Sequence, residues 1–360
     1  MNRLTPELKE FIERHADSDP SEIALLAKRY PNWPMVWVAQ QIKGRQRIRI
    51  KLPSWHARSD IVYPAGLSLE QCTSEQVASY RAGLLQGETI ADLTGGFGVD
   101  AMAFAERFKW VYHIERDAEL SEIAAANARA LGKEAGVTMI AGDGMEWLAA
   151  RSGALDAIFV DPARRDRRAL KVSALEECEP NLIEVWSDLL AKAPLVAAKV
   201  SPGYDVDALV DALGCIREIH AISIGDECKE LFCVAESNWG EEPRIVCASQ
   251  EANGSWNRFA FRRSDEKHAE GRFEEYSRYL YEPNASVRKA GAYKCFGREW
   301  DLPLLHPRTR FYTSKRLIEG FPGRIFEVVD SGELRASGAA RLFPDRQANA
   351  LARNAGMDTA

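Results

Sequence analysis

Four acidic residues recur at intervals through the middle of the chain. Asp92 comes just before a run of glycines, Glu115 lies 23 residues further on, and Asp143 and Asp161 occur in AGDG and FVDPARRD. A carboxylate accepts hydrogen bonds from hydroxyl and amine groups and pairs with cations. Together, the four could bind the sugar, the base and a cationic end of a nucleotide-like ligand.

The glycine run lies in TIADLTGGFGVD, at residues 89–100. Its apolar start predicts a short strand, and Gly95, Gly96 and Gly98 predict a sharp turn into a helix. Glycine suits such a turn because it tolerates positive φ and lets the backbone approach a ligand closely. The stretch is therefore typical of a nucleotide-binding loop.

Two kinds of nucleotide remain open at this loop. Gly96, Gly98 and Ala101 match the G-x-G-x-x-A pattern of dinucleotide-binding proteins, and Glu115 lies near the position of their ribose-binding acid. Asp92, however, would face the pyrophosphate of a dinucleotide, where a negative charge is repelled. An acid at this position favours a cofactor with a cationic amino-acid end, and S-adenosylmethionine has such an end together with a ribose and an adenine.

Alternating strand and helix patterns surround these acids. Strands are predicted at 90–93, 110–114, 137–141, 156–160, 195–200, 218–224 and 231–236, and helices at 118–131, 145–151, 180–192 and 206–214. This alternation predicts an α/β fold with a doubly wound, Rossmann-like parallel sheet, which binds ligands at the carboxyl ends of its strands. Further helices are predicted at 5–16, at 21–29 with Ser21 as its cap, and up to residue 52.

The chain resembles the class I S-adenosylmethionine-dependent methyltransferases over residues 75–236, in ADLTGGFGVD, HIERD, AGDG and DPARR. The resemblance implies that S-adenosylmethionine is the cofactor, with Glu115 at its ribose and Asp143 at its adenine. It also implies cofactor contacts from Asp92, Thr94, Gly95, Gly96 and Gly98, the acid and the glycines holding the methionine part. The alternatives are a helix cap for Asp92, a surface acid for Glu115 and an Asx turn for Asp143.

A narrower resemblance covers nearly the whole chain. Segments such as KLPSW, KVSPGYD and YLYEPNASVRKAGAYK resemble an uncharacterised bacterial family of methyltransferases with a C-terminal THUMP-like domain. It implies an N-terminal helical extension (1–74), a methyltransferase domain (75–240), a ferredoxin-like insert (241–282) and a THUMP-like domain (283–360). It also implies an RNA substrate, from rRNA or tRNA. That family continues after the equivalent of ANALARN, whereas this sequence ends at Ala360, so the last domain is expected to be truncated.

The segment after the fourth strand is the candidate catalytic edge. Asp161 or the Pro162 carbonyl could accept a hydrogen bond from an amine while a methyl group is transferred in line. Arg164 stands where related RNA enzymes carry an aromatic residue, and its guanidinium could stack on a flipped base. The segment AKVSPGYD has Ser201 and no cysteine at the position where uracil C5 methylases carry their nucleophile, so a covalent cysteine intermediate is disfavoured.

Substrate contacts are predicted for Lys199 and Arg165. Lys199 could contact a phosphate or a base carbonyl, or it could cap the edge of the sheet; Arg165 could grip RNA, or it could belong to a solvated basic loop. Residues 43–51 carry five cations, followed by Trp55 and His56, and could grip a phosphate backbone and stack a base. The alternative for this segment is an exposed basic face with Trp55 packed beneath it.

Composition is consistent with RNA as a partner. The net charge is −6, yet residues 1–74 hold 11 Lys and Arg against 8 Asp and Glu, and residues 283–360 hold 13 against 8.

The seven cysteines are scattered, which predicts neither disulfides nor a metal site. Without a signal peptide or a long apolar run, a cytoplasmic protein with no membrane contact is expected. Two alternatives to RNA methylation stay open: an RNA-binding protein without catalysis, and a protein or small-molecule methyltransferase.

Overall fold

The computed structural model describes residues 4–66, 69, 72–164 and 175–330. The chain forms two compact units. The first consists of residues up to 204 with 208–217 and 232–241, and the second of 205–207, 218–231 and the residues from 242 onward. Helix 206–212 and strands 216–224 and 227–236 are therefore divided between the units. The predicted boundaries at residues 74, 240 and 282 stay predictions.

The first unit begins with a small bundle of helices. These are α1 (Pro6–Arg14), α2 (Pro20–Leu25), a 3-10 turn (Leu26–Lys28), α3 (Met35–Ile48) and α4 (Pro53–His56). Thr5 caps α1 by accepting a hydrogen bond from the Leu8 amide. Asp19 caps α2 by accepting from the Ser21 amide at 2.8 Å. The predicted Ser21 cap is wrong because Pro20 occupies the first helical position, where its fixed φ is favourable.

The stretch MVWVAQQIKGRQRIRI alternates apolar and basic residues like a strand near its end, but the structure shows that most of it forms helix α3. Its mid-helix Gly44 lies against Tyr63, and a Cβ at position 44 would come 2.4 Å from the Tyr63 Cβ. Gln41 faces inward because the Tyr63 amide donates to its Oε1 at 2.8 Å and its Nε2 donates to the Tyr63 carbonyl. Trp55 is buried, with its ring 4.9 Å from that of Phe97. The packed interpretation of Trp55 is confirmed, and base stacking by it is wrong.

A parallel sheet forms the centre of the first unit. Its strands include β1 (Thr89–Asp92), β2 (Trp110–Glu115), β3 (Val137–Ala141), β4 (Ala157–Val160) and β7 (Leu195–Val200), in the order β7-β4-β1-β2-β3. The accompanying helices are α5 (Glu75–Ala82), α6 (Val99–Phe104), α7 (Ala118–Ala130), α8 (Gly144–Ala150), α9 (Leu182–Lys192) and the divided α10 (Val206–Ala212). The chain proceeds from β1 to β2 and β3 on one side, and returns to β4 and β7 on the other. Parallel sheets bind ligands at this kind of reversal, outside the carboxyl ends of the strands.

A small ladder and a 3-10 turn complete the described part of this unit. Strand β5 (Ala163–Arg164) pairs antiparallel with β6 (Cys178–Glu179), which follows a 3-10 turn at Leu175–Glu177. The predicted α/β fold with a Rossmann-like sheet, an N-terminal helical extension and a small C-terminal α+β region is confirmed.

The second unit contains a β-hairpin and a three-stranded sheet. Strands β10 (Arg244–Gln250) and β11 (Trp256–Phe261) form the antiparallel hairpin, with Asn253 and Gly254 between them, and the Asn-Gly pair is a strong sequence signal for such a turn. The three-stranded sheet has the order β13-β12-β14, and both of its pairings are antiparallel. Its strands and the helices of this unit are β12 (Tyr279–Pro283), β13 (Tyr312–Ser314), β14 (Gly323–Glu327), α11 (Arg263–His268), α12 (Ala285–Ala290) and α13 (Tyr293–Glu299). The divided strands are β8 (Ile216–Ile224) and β9 (Glu227–Glu236).

Three further properties concern only residues that the structure describes. None of the helices there is long and apolar enough to cross a bilayer. No group of three or more His, Cys, Asp or Glu side chains there is arranged to hold a metal ion. The seven cysteines all lie in this part of the chain and are free thiols.

Gly44→Ala should destabilise the protein although alanine favours a helix. The added methyl group would collide with Tyr63, and overpacking of this kind costs about 1–3 kcal/mol, against a gain of about 1 kcal/mol in helix propensity. Urea unfolding should show a lower midpoint for this variant. Gly240→Ala is the matched control, because a Cβ there meets nothing within 4 Å. Equal stability of the two variants would contradict the close contact with Tyr63.

Candidate functional site

A cleft of about 270 Å³ lies at the carboxyl ends of the central strands. Its volume is close to the lower end of the usual range for small-molecule sites, about 300–1,000 Å³. The predicted residues that line it are Asp92, Thr94, Gly95, Gly96, Gly98, Glu115, Asp143 and Asp161. The four acids proposed from the sequence therefore meet in one cleft, as expected for strand ends at the reversal of the sheet.

Asp92 is the most deeply buried of these acids. It ends β1, is 1% exposed, and its Oδ1 accepts a hydrogen bond from the Thr94 amide at 3.1 Å. Burial raises the pKa of the Asp92 carboxyl well above its usual range, and the nearby charge of Asp100 raises it further. A carboxylate in this position is costly to ionise unless a cation compensates it. The site therefore favours a ligand that carries a positive charge.

The glycine turn passes directly over a buried histidine. Gly96 and Gly98 have φ values of +55° and +89°, which favour glycine. A Cβ on Gly95 would come 2.4 Å from His113 Nε2, so only glycine fits. Burial lowers the pKa of the His113 imidazole, which keeps the ring neutral beneath the turn. Sequence reasoning missed His113, although the two-residue period of a strand places it on the same face as Glu115.

Glu115 fixes the shape of that turn. Its Oε2 accepts a hydrogen bond from the Gly96 amide at 2.7 Å, and its Oε1 accepts one from the Asp117 amide at 2.8 Å. A carboxylate has about four acceptor positions, so both oxygens keep capacity for ligand hydroxyls. Glu115 thus both organises the loop and lines the cleft.

Asp143 also has two roles. It is the N-cap of α8, where its Oδ1 accepts hydrogen bonds from the amides of Met145 at 2.8 Å and Glu146 at 3.0 Å. The bond from the Met145 amide, two residues on, confirms the Asx turn given as the alternative for Asp143, and the same side chain lines the cleft. The next residue, Gly144, must be glycine because a Cβ at this position would come 2.1 Å from the Leu93 carbonyl oxygen.

Thr94 links the first and fourth strands. Its Oγ1 accepts a hydrogen bond from the Asp161 amide at 2.6 Å, and it lies 3.5 Å from Asp92 Oδ1. The Asp161 carboxylate is held from the other side by Lys199, whose Nζ donates to Oδ2 at 2.6 Å. The structure therefore brings Lys199 to Asp161, and this ion pair lies at the end of strands β4 and β7.

The remaining predicted residues lie beside this pair. Pro162 separates Asp161 from Ala163, and both of these neighbours line the cleft. The backbone of Arg164 belongs to β5. The side chain of Arg164 and the whole of Arg165 lie outside the described residues, so their predicted contacts with a base and with RNA stay predictions.

Several cleft residues were not predicted from the sequence. Asp100 lines the cleft and pairs with Arg81, whose side chain is fully buried, at 3.3 Å. Thr73 donates a hydrogen bond to the other Asp100 oxygen at 3.0 Å. Arg116 forms an ion pair with Glu179 at 2.6 Å, and both line the cleft. Asp100, the last residue of TGGFGVD, was the sequence signal for the Arg81–Asp100 pair. The Arg116–Glu179 pair depends on tertiary contacts and has no local sequence signal.

Two family models match parts of the chain. A model described as RNA cap guanine-N2 methyltransferase matches residues 87–165, which contain β1 to β4 and all four acids. A model described as a ferredoxin-like domain matches residues 279–322. No curated protein is significantly similar to the chain.

One solved structure matches almost the whole chain. It is the crystal structure of a candidate methyltransferase from Porphyromonas gingivalis W83, with 29% identity, a TM-score of 0.82, and coverage of 96% of this chain and 87% of that one. Two partial matches are an O-methyltransferase from Bacillus cereus in complex with SAH (14% identity, 52% and 99% coverage, TM-score 0.35) and TrmK from M. capricolum in complex with S-adenosyl-homocysteine (15%, 45% and 68%, TM-score 0.36).

The fold, the family model and the full-length match together indicate a methyltransferase with a Rossmann-like domain. A ferredoxin-like domain is present in its C-terminal region, at residues 279–322. The THUMP-like domain predicted from residue 283 onward is not confirmed by these comparisons.

Asp92→Asn should stabilise the protein at neutral pH. The wild-type carboxyl has a raised pKa when folded, so stability falls as pH rises from the ordinary aspartate pKa, near 3.9, toward the raised value. An amide removes this penalty while keeping an acceptor for Thr94, and we expect a gain of about 0.5–2 kcal/mol. Urea unfolding at several pH values should show the gain at neutral pH and its disappearance below about pH 4. A gain that did not depend on pH would contradict the raised pKa.

Proposed function

We propose that this protein is an S-adenosylmethionine-dependent methyltransferase that modifies a base in RNA, without a covalent cysteine intermediate. The observation that carries the proposal is the convergence of four strand-end carboxylates on one cleft beneath a glycine turn. The deepest of them, Asp92, is buried with a raised pKa. A buried acid beside other acids favours a cationic ligand, and among nucleotide-like cofactors S-adenosylmethionine carries such a charge.

The residues present fit this cofactor. Asp92 would hold its cationic amino-acid end. The glycine turn brings its backbone to the cleft, because a Cβ at Gly95 would collide with His113 and because Gly96 and Gly98 adopt positive φ. Glu115 would accept the ribose hydroxyls, and Asp143 the adenine amine. When bound, the cofactor supplies an electrophilic methyl group on a sulfonium.

The protein's own contribution to the chemistry would come from Asp161. Its amide is fixed by Thr94 and its carboxylate by Lys199, so the side chain is held at the edge of the cleft. In-line displacement mainly requires orientation of the attacking atom. Asp161 can accept a hydrogen bond from the target amine and so direct its lone pair. In this arrangement Lys199 is a positioning residue that holds the Asp161 side chain in place.

Cys72 is the thiol to consider as a covalent nucleophile, since it lines the cleft. Burial raises the pKa of the Cys72 thiol, whereas Lys51 and Lys199 oppose that shift. A reactive cysteine needs a lowered pKa to form its thiolate. The raised pKa therefore supports methyl transfer without attack by cysteine.

Two observations favour RNA as the substrate. The family model over residues 87–165 is named for guanine-N2 methylation of RNA caps, which makes a base amine a reasonable target. The basic N-terminal region gives a second reason, because phosphate neutralisation is local and does not depend on net charge. A cytoplasmic location would follow from an rRNA or tRNA substrate.

Asp92→Asn should weaken S-adenosylmethionine binding at least tenfold, because the amide cannot pair with a cation. Wild-type affinity should rise with pH until Asp92 is ionised, since a cationic ligand displaces the proton of a carboxyl whose pKa is raised. Calorimetry in buffers of different ionisation enthalpy would measure that proton release, and the variant should show none from this site. Unchanged affinity in the variant would remove Asp92 from the cofactor site.

Asp161→Ala should abolish methyl transfer while cofactor affinity stays within about twofold. Mass spectrometry of nucleosides from a strain without the gene should reveal the loss of one methylated nucleoside. The wild-type gene should restore it and the Asp161→Ala gene should not, whereas a Ser201→Ala gene, altered at a residue without a proposed role, should restore it. An unchanged nucleoside profile in the deletion strain would rule out RNA methylation by this protein.

A further inference from the structure

The N-terminal helices carry an uninterrupted basic segment. Residues 23–59 contain eight Lys and Arg residues and no Asp or Glu, although the whole chain has a net charge of −6. The second half of this segment, residues 43–58, includes the end of α3 and all of α4. Arg45 and Arg49 lie four residues apart on the side of α3 that faces His56, and Arg45 also contacts Arg58. We call these three arginines, Arg45, Arg49 and Arg58, the basic surface.

The structure crowds these positive charges together. The Arg45 guanidinium donates a hydrogen bond to the Arg58 carbonyl at 2.9 Å, which joins the end of α3 to the residues after α4. Burial lowers the pKa of the His56 imidazole, and Arg45 and Arg49 lower it further, while Asp17 opposes them. Neighbouring positive charges repel one another, and a bound anion relieves that repulsion.

Helix stability explains only part of this charge. Cations in the last turn of a helix interact favourably with its dipole, and Arg45 and Arg47 lie in the last turn of α3. Arg49 and Arg58 lie beyond that turn and are exposed, and Arg58 also pairs with Asp60 at 3.4 Å. They add positive charge where the dipole no longer requires it.

The basic segment is connected to the cleft within the first unit. Trp55 packs on Phe97, and Phe97 lines the cleft as part of the glycine turn. The Lys51 carbonyl accepts a hydrogen bond from the Glu75 amide at 2.9 Å, which fixes the segment to the start of α5. The Lys51 and Lys199 ammonium groups both act on Cys72 in the cleft wall. Positive charge thus extends from the N-terminal helices to the side of the cleft that holds Asp161.

We propose that the basic surface binds the phosphate backbone of the RNA whose base enters the cleft. This inference rests on the proposed function and adds the part of the chain that grips the substrate. Exposed Lys and Arg contact phosphates without reading sequence, so they fix register and orientation while the cleft selects the base. The N-terminal extension, and not only a C-terminal domain, is then an RNA-binding element.

The test compares a double variant, Arg49→Glu with Arg58→Gln, with the control Lys192→Glu. All three side chains are exposed and lie in the first unit, and Lys192 ends α9, away in sequence from the basic segment. The probes are a fluorescein-labelled single-stranded RNA of mixed sequence, read by anisotropy over a range of salt concentrations, and S-adenosylmethionine, read by calorimetry. Vesicles that contain anionic phospholipid serve as a second anionic partner.

The double variant should bind the RNA at least tenfold more weakly. Its salt dependence, the slope of log affinity against log salt, should become shallower by about 0.7 for each phosphate of a single strand that the protein no longer neutralises. The control should bind as the wild type does, and all proteins should keep their affinity for S-adenosylmethionine. Equal RNA affinity in the double variant and the control would overturn the proposal, as would binding of the wild type to vesicles and not to RNA.

The two proposals can fail separately. If the double variant loses RNA affinity but the wild type methylates no RNA, the surface stands and the proposed reaction is wrong. If the wild type methylates RNA and the double variant binds it equally well, the reaction stands and the surface is wrong.

Discussion

The burial of a carboxylate at the end of the first strand is the constraint on which the rest of the cleft depends. Asp92 is almost inaccessible to water, and Asp100 increases the cost of its ionisation. The protein compensates only in part, through one amide from Thr94. The folded protein is more stable when Asp92 is protonated, whereas the ionised form of Asp92 is the one that would pair with a cationic ligand. Stability and ligand affinity therefore oppose each other at this residue.

The hydrogen bonds around Asp92 tie the strand ends to one another. Glu115 holds the glycine turn from the second strand, and Thr94 holds the backbone of Asp161 on the fourth. Lys199 then fixes the Asp161 side chain from β7. The Gly96 amide and Asp161 are thus positioned by neighbours from different strands. The orientation needed for a displacement reaction is built into the sheet before any substrate arrives.

The sequence predicted the sheet and the four acids because strand periodicity and glycine are local signals. The glycine turn, the Asn253-Gly254 hairpin and the acids at strand ends all follow from residue type and spacing. The Arg81–Asp100 pair, the Arg116–Glu179 pair and the position of His113 depend on packing between distant segments, which periodicity does not encode. The Ser21 cap was mispredicted because Asp19 and Pro20 compete at the same helix start. The substrate contact of Lys199 stays a prediction, and the sequence does not show that its strand brings it to Asp161.

If Asp143 faces an adenine as proposed, its double role would have a consequence for selectivity among purines. Two helix amides occupy its Oδ1, so Oδ2 is the oxygen with the greater capacity left for a ring in the cleft. An ionised oxygen accepts hydrogen bonds and cannot donate them. It would attract the amino group of an adenine and repel the carbonyl oxygen of a guanine. Asp143, the residue that caps α8, would thereby also discriminate between adenosine and guanosine.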